Sequence, residues 1–270
     1  MLSIITITCN DALGLEKTLR SLQPLFTSSL KWEHIIIDSS SEINSDIRNR
    51  LPQRWPLQYE TAPARGVYAG FNVGLDIARG DYIWFLNGGD CLKDISALET
   101  TLTFLDKHSE VDFAACNVEL HKNDQYLYTQ RARPSLLQNI LGSNKICQQS
   151  VLYRRRVFND VGLFSTEYEI AGDYEHHLRC FARGCNFKAI HELLTIYDTS
   201  GISSSNYEAT FTEFRKAQKT LVPLLASHFN IACTIVFHLR YMQIRLMKCF
   251  ASSALSGLLH PLWFSWKRRT

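Results

Sequence analysis

The chain has 270 residues, 46% of them hydrophobic and 20% charged, which is enough to bury a core and lies outside the range of disordered chains. Its net charge of +3 is too small to suggest nucleic-acid binding, which needs a concentrated basic face. Eight dispersed cysteines never form Cys-x-x-Cys, so no zinc cluster or dithiol redox site is suggested; they suit buried thiols in a reducing compartment. No basic, cleavable leader is read at the start, and a cytoplasmic protein is expected.

Residues 2–8 are a short β-branched run ending at Asn10-Asp11, the pattern of a buried strand delivering the chain to a helix cap, and 11–22 reads as helix. A second buried strand, 34–38, closes on Asp38, and 57–60 is a weaker third. Residues 66–78 carry apolar positions at helical spacing, and Gly80-Asp81 then introduces 82–86, the strongest strand signal in the chain. A helix over 95–107 and a strand over 111–117 continue the alternation. With right-handed crossovers these strands form one α/β unit, a Rossmann-like, mostly parallel sheet flanked by helices. Ligands in such sheets bind beyond the strand carboxyl ends, where Thr8, Asn10, Asp38, Asn87 and Asp90 all fall.

After Asn117 the pattern changes to a polar hairpin around 122–125, a short helix near Leu136, and mixed strands near 147–154 that finish the sheet. A helix over 173–183 follows, entered through Gly172, and 210 onward reads as helix to near 253, broken at Pro223 and near Asn230. The expected division is an α/β domain over 1–205 and a C-terminal helical extension over 206–270.

Three constellations carry chemistry. Asp38 at a strand end accepts hydrogen bonds from a base or ribose edge, or else caps the next turn. In Asn87-Gly88-Gly89-Asp90 the glycines let backbone approach a ligand and Asp90 holds a divalent ion on a diphosphate, or the segment is a plain glycine turn. Asp173, at the positive end of a helix dipole, takes a proton from an incoming hydroxyl if it faces a cleft, or is a capping residue. The adjacent His176 and His177 point about 100° apart on a helix and do not readily share a metal ion.

Taken together, Ser3-Ile-Ile-Thr-Ile-Thr-Cys-Asn10, Ile35-Ile-Ile-Asp38-Ser-Ser, Gly66-Val-Tyr-x-x-Phe-Asn72-x-Gly74, Gly80-Asp-Tyr-Ile-x-Phe-Leu-Asn-x-Gly-Asp90 and Ala171-Gly-Asp173-Tyr-Glu resemble the family 2 glycosyltransferases, in order and spacing, over about the first 205 residues. The branch that builds bacterial exopolysaccharide, including colanic-acid-type enzymes, is the most similar. The resemblance implies a GT-A fold and an inverting transfer of a sugar from a nucleotide-diphosphate sugar to a hydroxyl of a glycan or lipid-linked acceptor. It implies that Thr8, Asn10, Asp38, Arg65, Asn72, Asn87 and Gly89 line the donor site, that Asp90 holds a divalent cation, Mg²⁺ or Mn²⁺, and that Asp173 is the catalytic base. Gln148, Gln149 and Ser203 are weaker candidates for the acceptor side or a closing loop. The sequence departs from the family pattern at Asn87 and Gly89, which stand where the metal motif more often carries acids. It departs again at Gly172, where an acid often precedes the base, at Phe71, where many members carry arginine, and at Gln148-Gln149, where the branch tends to show His-Gln.

A Rossmann oxidoreductase shares the opening but needs Gly-x-Gly-x-x-Gly, and the first turn here has Gly14 alone. A non-catalytic nucleotide-sugar-binding subunit of a glycan assembly complex is the other alternative, because two acids of the metal motif are missing. The tail combines Trp263, Phe264 and Trp266 with Lys267, Arg268 and Arg269 and holds no apolar run of about 18 residues. It is expected either to lie on an anionic membrane at its inner face or to pack as a helix on protein. Oligomeric state stays open.

Overall fold

The computed structural model describes residues 1–41, 55–133, 146–199, 201 and 206–225. Strand β1 (Leu2–Thr8) leads to helix α1 (Ala12–Ser21), then β2 (Trp32–Asp38), β3 (Leu57–Thr61), α2 (Val67–Ile77) and β4 (Tyr82–Phe85). A two-residue β5 (Cys91–Leu92), α3 (Ile95–Lys107), β6 (Phe113–Lys122) and β7 (Gln125–Gln130) follow. The remainder is β8 (Val151–Arg154), α4 (Arg156–Val161), α5 (Gly172–Ala182), the long β9 (Phe187–Asp198) and α6 (Tyr207–Leu225).

The sheet order is β3-β2-β1-β4-β8-β6-β9-β5, with β7 beside β6. The four strands β3-β2-β1-β4 are all parallel, as the βαβ pattern predicts. Beyond β4 the sheet is mixed: β8 runs antiparallel to both β4 and β6, and β9 returns parallel to β6. An antiparallel neighbour needs no helical crossover, so this half carries no βαβ signature.

Burial on both faces explains why the parallel strands read as unbroken apolar runs. Ile5, Ile35, Ile37 and Phe85 face one core layer with α2 and α5, while Ile4, Ile36, Trp84 and Leu86 face the other with α1 and α3. Asp11 caps α1 by accepting the Gly14 N–H at 2.8 Å, and Asp94 caps α3 through the Ser96 N–H at 2.8 Å. The hairpin between β6 and β7 turns on Asn123 and Asp124, both at positive φ, 50° and 61°, as a two-residue hairpin turn requires.

Two expectations are corrected. Helix α6 starts at Tyr207 and its described part runs through Pro223 to Leu225 instead of breaking there; proline lacks the N–H for one i→i−4 hydrogen bond, a loss that can kink a helix without ending it. The strand β9 and the short α4 were not anticipated. The helix near Leu136 and the break near Asn230 lie outside the described residues.

Buried polar side chains are wired through the layers. Trp55 Nε1 donates to His34 Nδ1 at 3.2 Å, and His34 Nε2 lies 2.9 Å from Thr6 Oγ1, which donates to the Leu86 carbonyl at 2.7 Å. Burial holds His34 and His177 neutral, with pKa values down to about 3. Below pH 6.5 the unfolded chain takes these protons and the folded chain does not, so stability is lost as pH falls from the ordinary value toward about 3. Each imidazole is expected to cost about 2 kcal/mol between pH 7 and pH 5. Urea unfolding at the two pH values checks this, and equal midpoints would contradict it.

Candidate active site

Strands β1 and β2 pair with Thr8 opposite Asp38, so both side chains sit on the carboxyl edge of the sheet. Past Thr8 the chain turns at Asn10, whose φ of 54° is a left-handed conformation that asparagine tolerates. There Asn10 Oδ1 accepts the Ser41 N–H at 3.1 Å and its own N–H donates to Ser40 Oγ at 2.7 Å, tying the two loops together. Asp38 is buried, with Oδ1 accepting the Ser40 N–H at 2.8 Å and Oδ2 accepting the Tyr59 hydroxyl. A carboxylate has about four acceptor positions, so two contacts fix its direction without exhausting it. Arg65 is exposed immediately before Gly66 at the start of α2.

The Asn87–Asp90 turn is held from beneath by Thr18 of α1. Thr18 Oγ1 accepts the Gly89 N–H at 3.0 Å and lies 2.7 Å from the Asp90 carbonyl and 3.1 Å from that of Asn87. Gly89 has φ 95°, which a side chain would strain. Asp90 is 3% exposed, and its Oδ1 accepts the Asp198 N–H at 2.9 Å where β9 ends. Burial pushes its carboxyl well above the ordinary carboxylate range; the Asp198 N–H bond opposes the rise, the Asp198 charge adds to it and Lys17 opposes it. Lys17 bridges Asp124 at 2.5 Å and Asp198 at 3.9 Å.

This turn has the chemistry of a hard-cation site. Asn87 Oδ1 is buried without a hydrogen-bond partner among the described residues, beside a buried acid that is costly to ionise. A divalent ion at this turn could take Asn87 Oδ1 and the Asp90 carboxylate as ligands. Among the described residues no three His, Cys, Asp or Glu side chains cluster as a ligand set; Mg²⁺ sites commonly use one or two carboxylates and complete the shell with phosphate and water.

Asp173 stands in the first turn of α5. The Tyr68 hydroxyl lies 2.7 Å from the Ile170 carbonyl and 3.2 Å from Asp173 Oδ1, so its single proton goes chiefly to Ile170 and the Asp173 contact is weak. Glu213 of α6 caps the approach to this helix, accepting the N–H groups of Glu169, Ile170 and Ala171 at 2.8, 2.9 and 2.7 Å. Gly172 is required by close packing, since a Cβ there would sit 2.7 Å from the Tyr68 ring. Gly172→Ala is therefore expected to displace Tyr68, destabilise the protein by about 1–3 kcal/mol and slow turnover. Urea unfolding with a transfer assay reads both, and wild-type values would remove Tyr68 from the surroundings of Asp173.

Other candidates are placed differently. Asn72 Nδ2 donates to the Phe164 carbonyl at 2.9 Å and its Oδ1 accepts the Phe164 N–H at 3.0 Å, so both polar atoms pin a loop. Phe71, in the arginine position, is 1% exposed against Phe85 and Phe164. Gln149 takes the Trp84 indole N–H and the Thr195 hydroxyl on its carbonyl. Its neighbour Gln148 is also buried, with Oε1 accepting the Tyr153 hydroxyl at 2.7 Å. His176 and His177 bond to Gly162 and Tyr153 respectively and share no ligand position. Ser203 lies outside the described residues. Sequence reasoning gave no role to Thr18, Lys17, Tyr68, Asp198 and Glu213; Tyr68 stands inside the Gly66–Gly74 motif, but its partners in the site, like those of the others, lie 42 to 181 positions away and meet only on folding, as with Asp198 to Asp90 over 108 positions.

A parallel half-sheet with an acid-bearing glycine turn at its carboxyl edge and a carboxylate at a helix start fits a glycosyltransferase of the GT-A fold. The chain belongs to glycosyl transferase family 2, whose family model matches residues 3–184. It is 27% identical over 187 residues to a PGL/p-HBAD biosynthesis glycosyltransferase of Mycobacterium bovis, covering 67% of this chain and 70% of that protein. It is also 27% identical over 223 residues to an uncharacterized glycosyltransferase of Mycobacterium tuberculosis, covering 79% and 81%. Among solved structures, S. aureus TarS 1-349 in complex with UDP-GlcNAc matches with TM-score 0.65 at 16% identity, over 84% of this chain and 66% of that one. The mannosyltransferase PcManGT from Pyrobaculum calidifontis, in complex with GDP-Man and Mn2+, matches with TM-score 0.60 at 14% identity, over 96% and 78%. The chain spans 38% of the longer TarS chain. These structural likenesses concern the fold.

Proposed function

We propose that this glycosyltransferase transfers a sugar, with inversion, from a nucleotide-diphosphate sugar to a hydroxyl of a glycan or lipid-linked acceptor in polysaccharide biosynthesis. The observation that carries the reading is the pairing of two differently placed acids: Asp90, buried on the glycine turn at the sheet edge, and Asp173, half-buried at the start of α5. The donor nucleotide lies across the ends of β1 and β2, with Thr8, Asn10, Asp38 and Arg65 around base and ribose. Asn87 and Gly89 meet the diphosphate, and Asn72 acts by holding the loop at Phe164. A divalent cation, Mg²⁺ or Mn²⁺, held by Asp90 with Asn87 beside it, would neutralise the departing nucleoside diphosphate. Asp173 removes the acceptor proton as the hydroxyl oxygen attacks the anomeric carbon opposite the leaving group, and a single displacement inverts that centre. Thermal-shift screening against UDP, GDP and dTDP sugars, with and without Mn²⁺, tests the donor class, because a ligand that binds the native state raises its stability. Failure of every nucleotide sugar to stabilise the protein would sink the reading.

The domain organisation belongs to the same proposal, with 206–270 as a helical extension of the 1–205 transferase unit. Its described part packs on α5, where the Tyr174 and Phe214 rings meet at a tilt, 4.2 Å between centroids, and Gln218 donates to the Tyr174 hydroxyl at 2.8 Å. None of the described helices is long and apolar enough to cross a membrane. Residues 226–270 lie outside the described residues, and the basic, Trp-bearing tail is proposed to contact anionic lipid at the inner face. Deleting 256–270 removes three basic residues and two tryptophans, so vesicle binding is expected to fall by about two orders of magnitude at about 1 kcal/mol per charge. Equal sedimentation of both forms with anionic vesicles would refute it.

A further inference from the structure

Between β8 and α5, three buried side chains form a hydrogen-bonded chain that the mechanism above does not use. Gln148, Tyr153 and His177 are 3%, 0% and 1% exposed. The Tyr153 hydroxyl is 2.7 Å from Gln148 Oε1 and 2.6 Å from His177 Nε2. Both ends are open: Gln148 Nε2 and His177 Nδ1 are buried with no hydrogen-bond partner among the described residues. Unpaired buried polar atoms are costly and uncommon, so an open end calls for an explanation.

The open end at Gln148 survives either orientation of its amide. A tyrosine hydroxyl has one proton. If it goes to Gln148 Oε1, Tyr153 accepts from His177 Nε2–H and Gln148 presents its N–H groups. With the amide turned over, Gln148 donates to Tyr153, which donates to His177, and Gln148 presents its oxygen. His177 is stacked between Phe113 and Tyr153, at 5.8 and 6.1 Å, and burial keeps it neutral, so it orders the chain without adding charge.

This hydrogen-bonded chain spans the elements that carry the two acids. His177 follows Asp173 by one turn on the same face of α5, and Gln149, next to Gln148, is bonded to Trp84 of β4, the strand that leads into the Asn87–Asp90 turn. The backbone there cannot drift, because the Gln149 carbonyl accepts Trp84 Nε1–H at 2.7 Å and the Thr195 hydroxyl at 2.8 Å. The group that passes between the acid of the glycine turn and the base is the transferred sugar, and a sugar hydroxyl both donates and accepts.

We propose that the open polar atom of Gln148 hydrogen-bonds a hydroxyl of the transferred sugar, with Tyr153 and His177 as positioning residues that fix its amide. The proposal rests on the nucleotide-sugar reading. It makes Gln148 a specificity residue, because a site built to pair a substrate hydroxyl discriminates strongly against an analogue that lacks it.

The test uses the full chain and the nucleotide sugar selected by the thermal screen. Calorimetry measures affinity for the nucleoside diphosphate alone, the intact donor and its monodeoxy analogues, all without acceptor. Gln148→Met, close in size but unable to hydrogen-bond, is expected to keep nucleoside diphosphate affinity, to lose about 10–100-fold in donor affinity and kcat/KM, and to stop discriminating against one deoxy analogue. Gln148→Glu, which still accepts a hydrogen bond, should retain part of that discrimination. Tyr153→Phe should shift the same ratio by about 3–10-fold with nucleoside diphosphate binding unchanged, a pattern that general loss of structure does not give. Nucleoside diphosphate affinity reports folding, and Gln148→Ala replaces Gln148→Met if the latter does not fold. Unchanged discrimination in the Gln148 variants, or a defect confined to acceptor KM, overturns the inference and leaves the transferase reading standing. A wild type that binds nucleoside diphosphate but no nucleotide sugar overturns both.

Discussion

Asp173→Asn is expected to fold and to bind nucleotide sugar as the wild type does, but to turn over about 10²–10⁴-fold more slowly, the usual contribution of a positioned general base. The amide keeps the size of the side chain and an oxygen for the Tyr68 contact at 3.2 Å, so packing around the start of α5 is preserved. What is lost is basicity. A fall in kcat with donor affinity intact separates this from a binding defect. Turnover near wild type would show that Asp173 is a helix-start residue and that another group takes the proton.

Asp90→Ala is expected to weaken Mn²⁺-dependent binding of nucleoside diphosphate by about 100-fold, since even groups outside the ligand shell commonly change metal affinity by about 10–100-fold. Binding without the cation should change little. Burial raises the Asp90 carboxyl well above its ordinary range, so a cation must displace a proton that the folded protein holds more tightly than the unfolded chain. Cation-dependent affinity in the wild type should therefore fall as pH is lowered through that raised pKa, and Asp90→Ala should lose this dependence. In the cation-free protein the sign is opposite: the protonated acid favours folding, and its contribution is lost as pH rises through the folded pKa. Calorimetry across pH reads the binding effect. Unchanged affinity of the variant with Mn²⁺ would remove Asp90 from the cation site.

The parallel half of the molecule was legible because its signals are local. Ile35-Ile36-Ile37 can be continuously apolar only where both sheet faces are covered, and Asp11 and Asp94 cap their helices by bonds spanning two or three residues. The strand ends then put Thr8 and Asp38 in one row without any knowledge of side-chain contacts. The mixed half was less legible. Strand β9 has one partially covered face and pairs in two different directions, so neither a clean alternation nor an apolar run marks it.

The amino-acid sequence by itself determined the βαβ order and the family, and it singled out the two acids proposed here for the cation and the acceptor proton, since these readings depend on periodicity, turn chemistry and ordered motifs. The tertiary structure alone decided what each acid experiences. Asp90 is buried where β9 ends, with the Asp198 N–H on its Oδ1, and Thr18 of α1 shapes the turn that carries it. The start of the Asp173 helix is tied by Tyr68 through the Ile170 carbonyl and by Glu213, and the amide of Gln148 by Tyr153. Periodicity encodes which face of an element is buried. Desolvation and hydrogen-bond direction depend on which distant elements meet, and no local pattern carries that information.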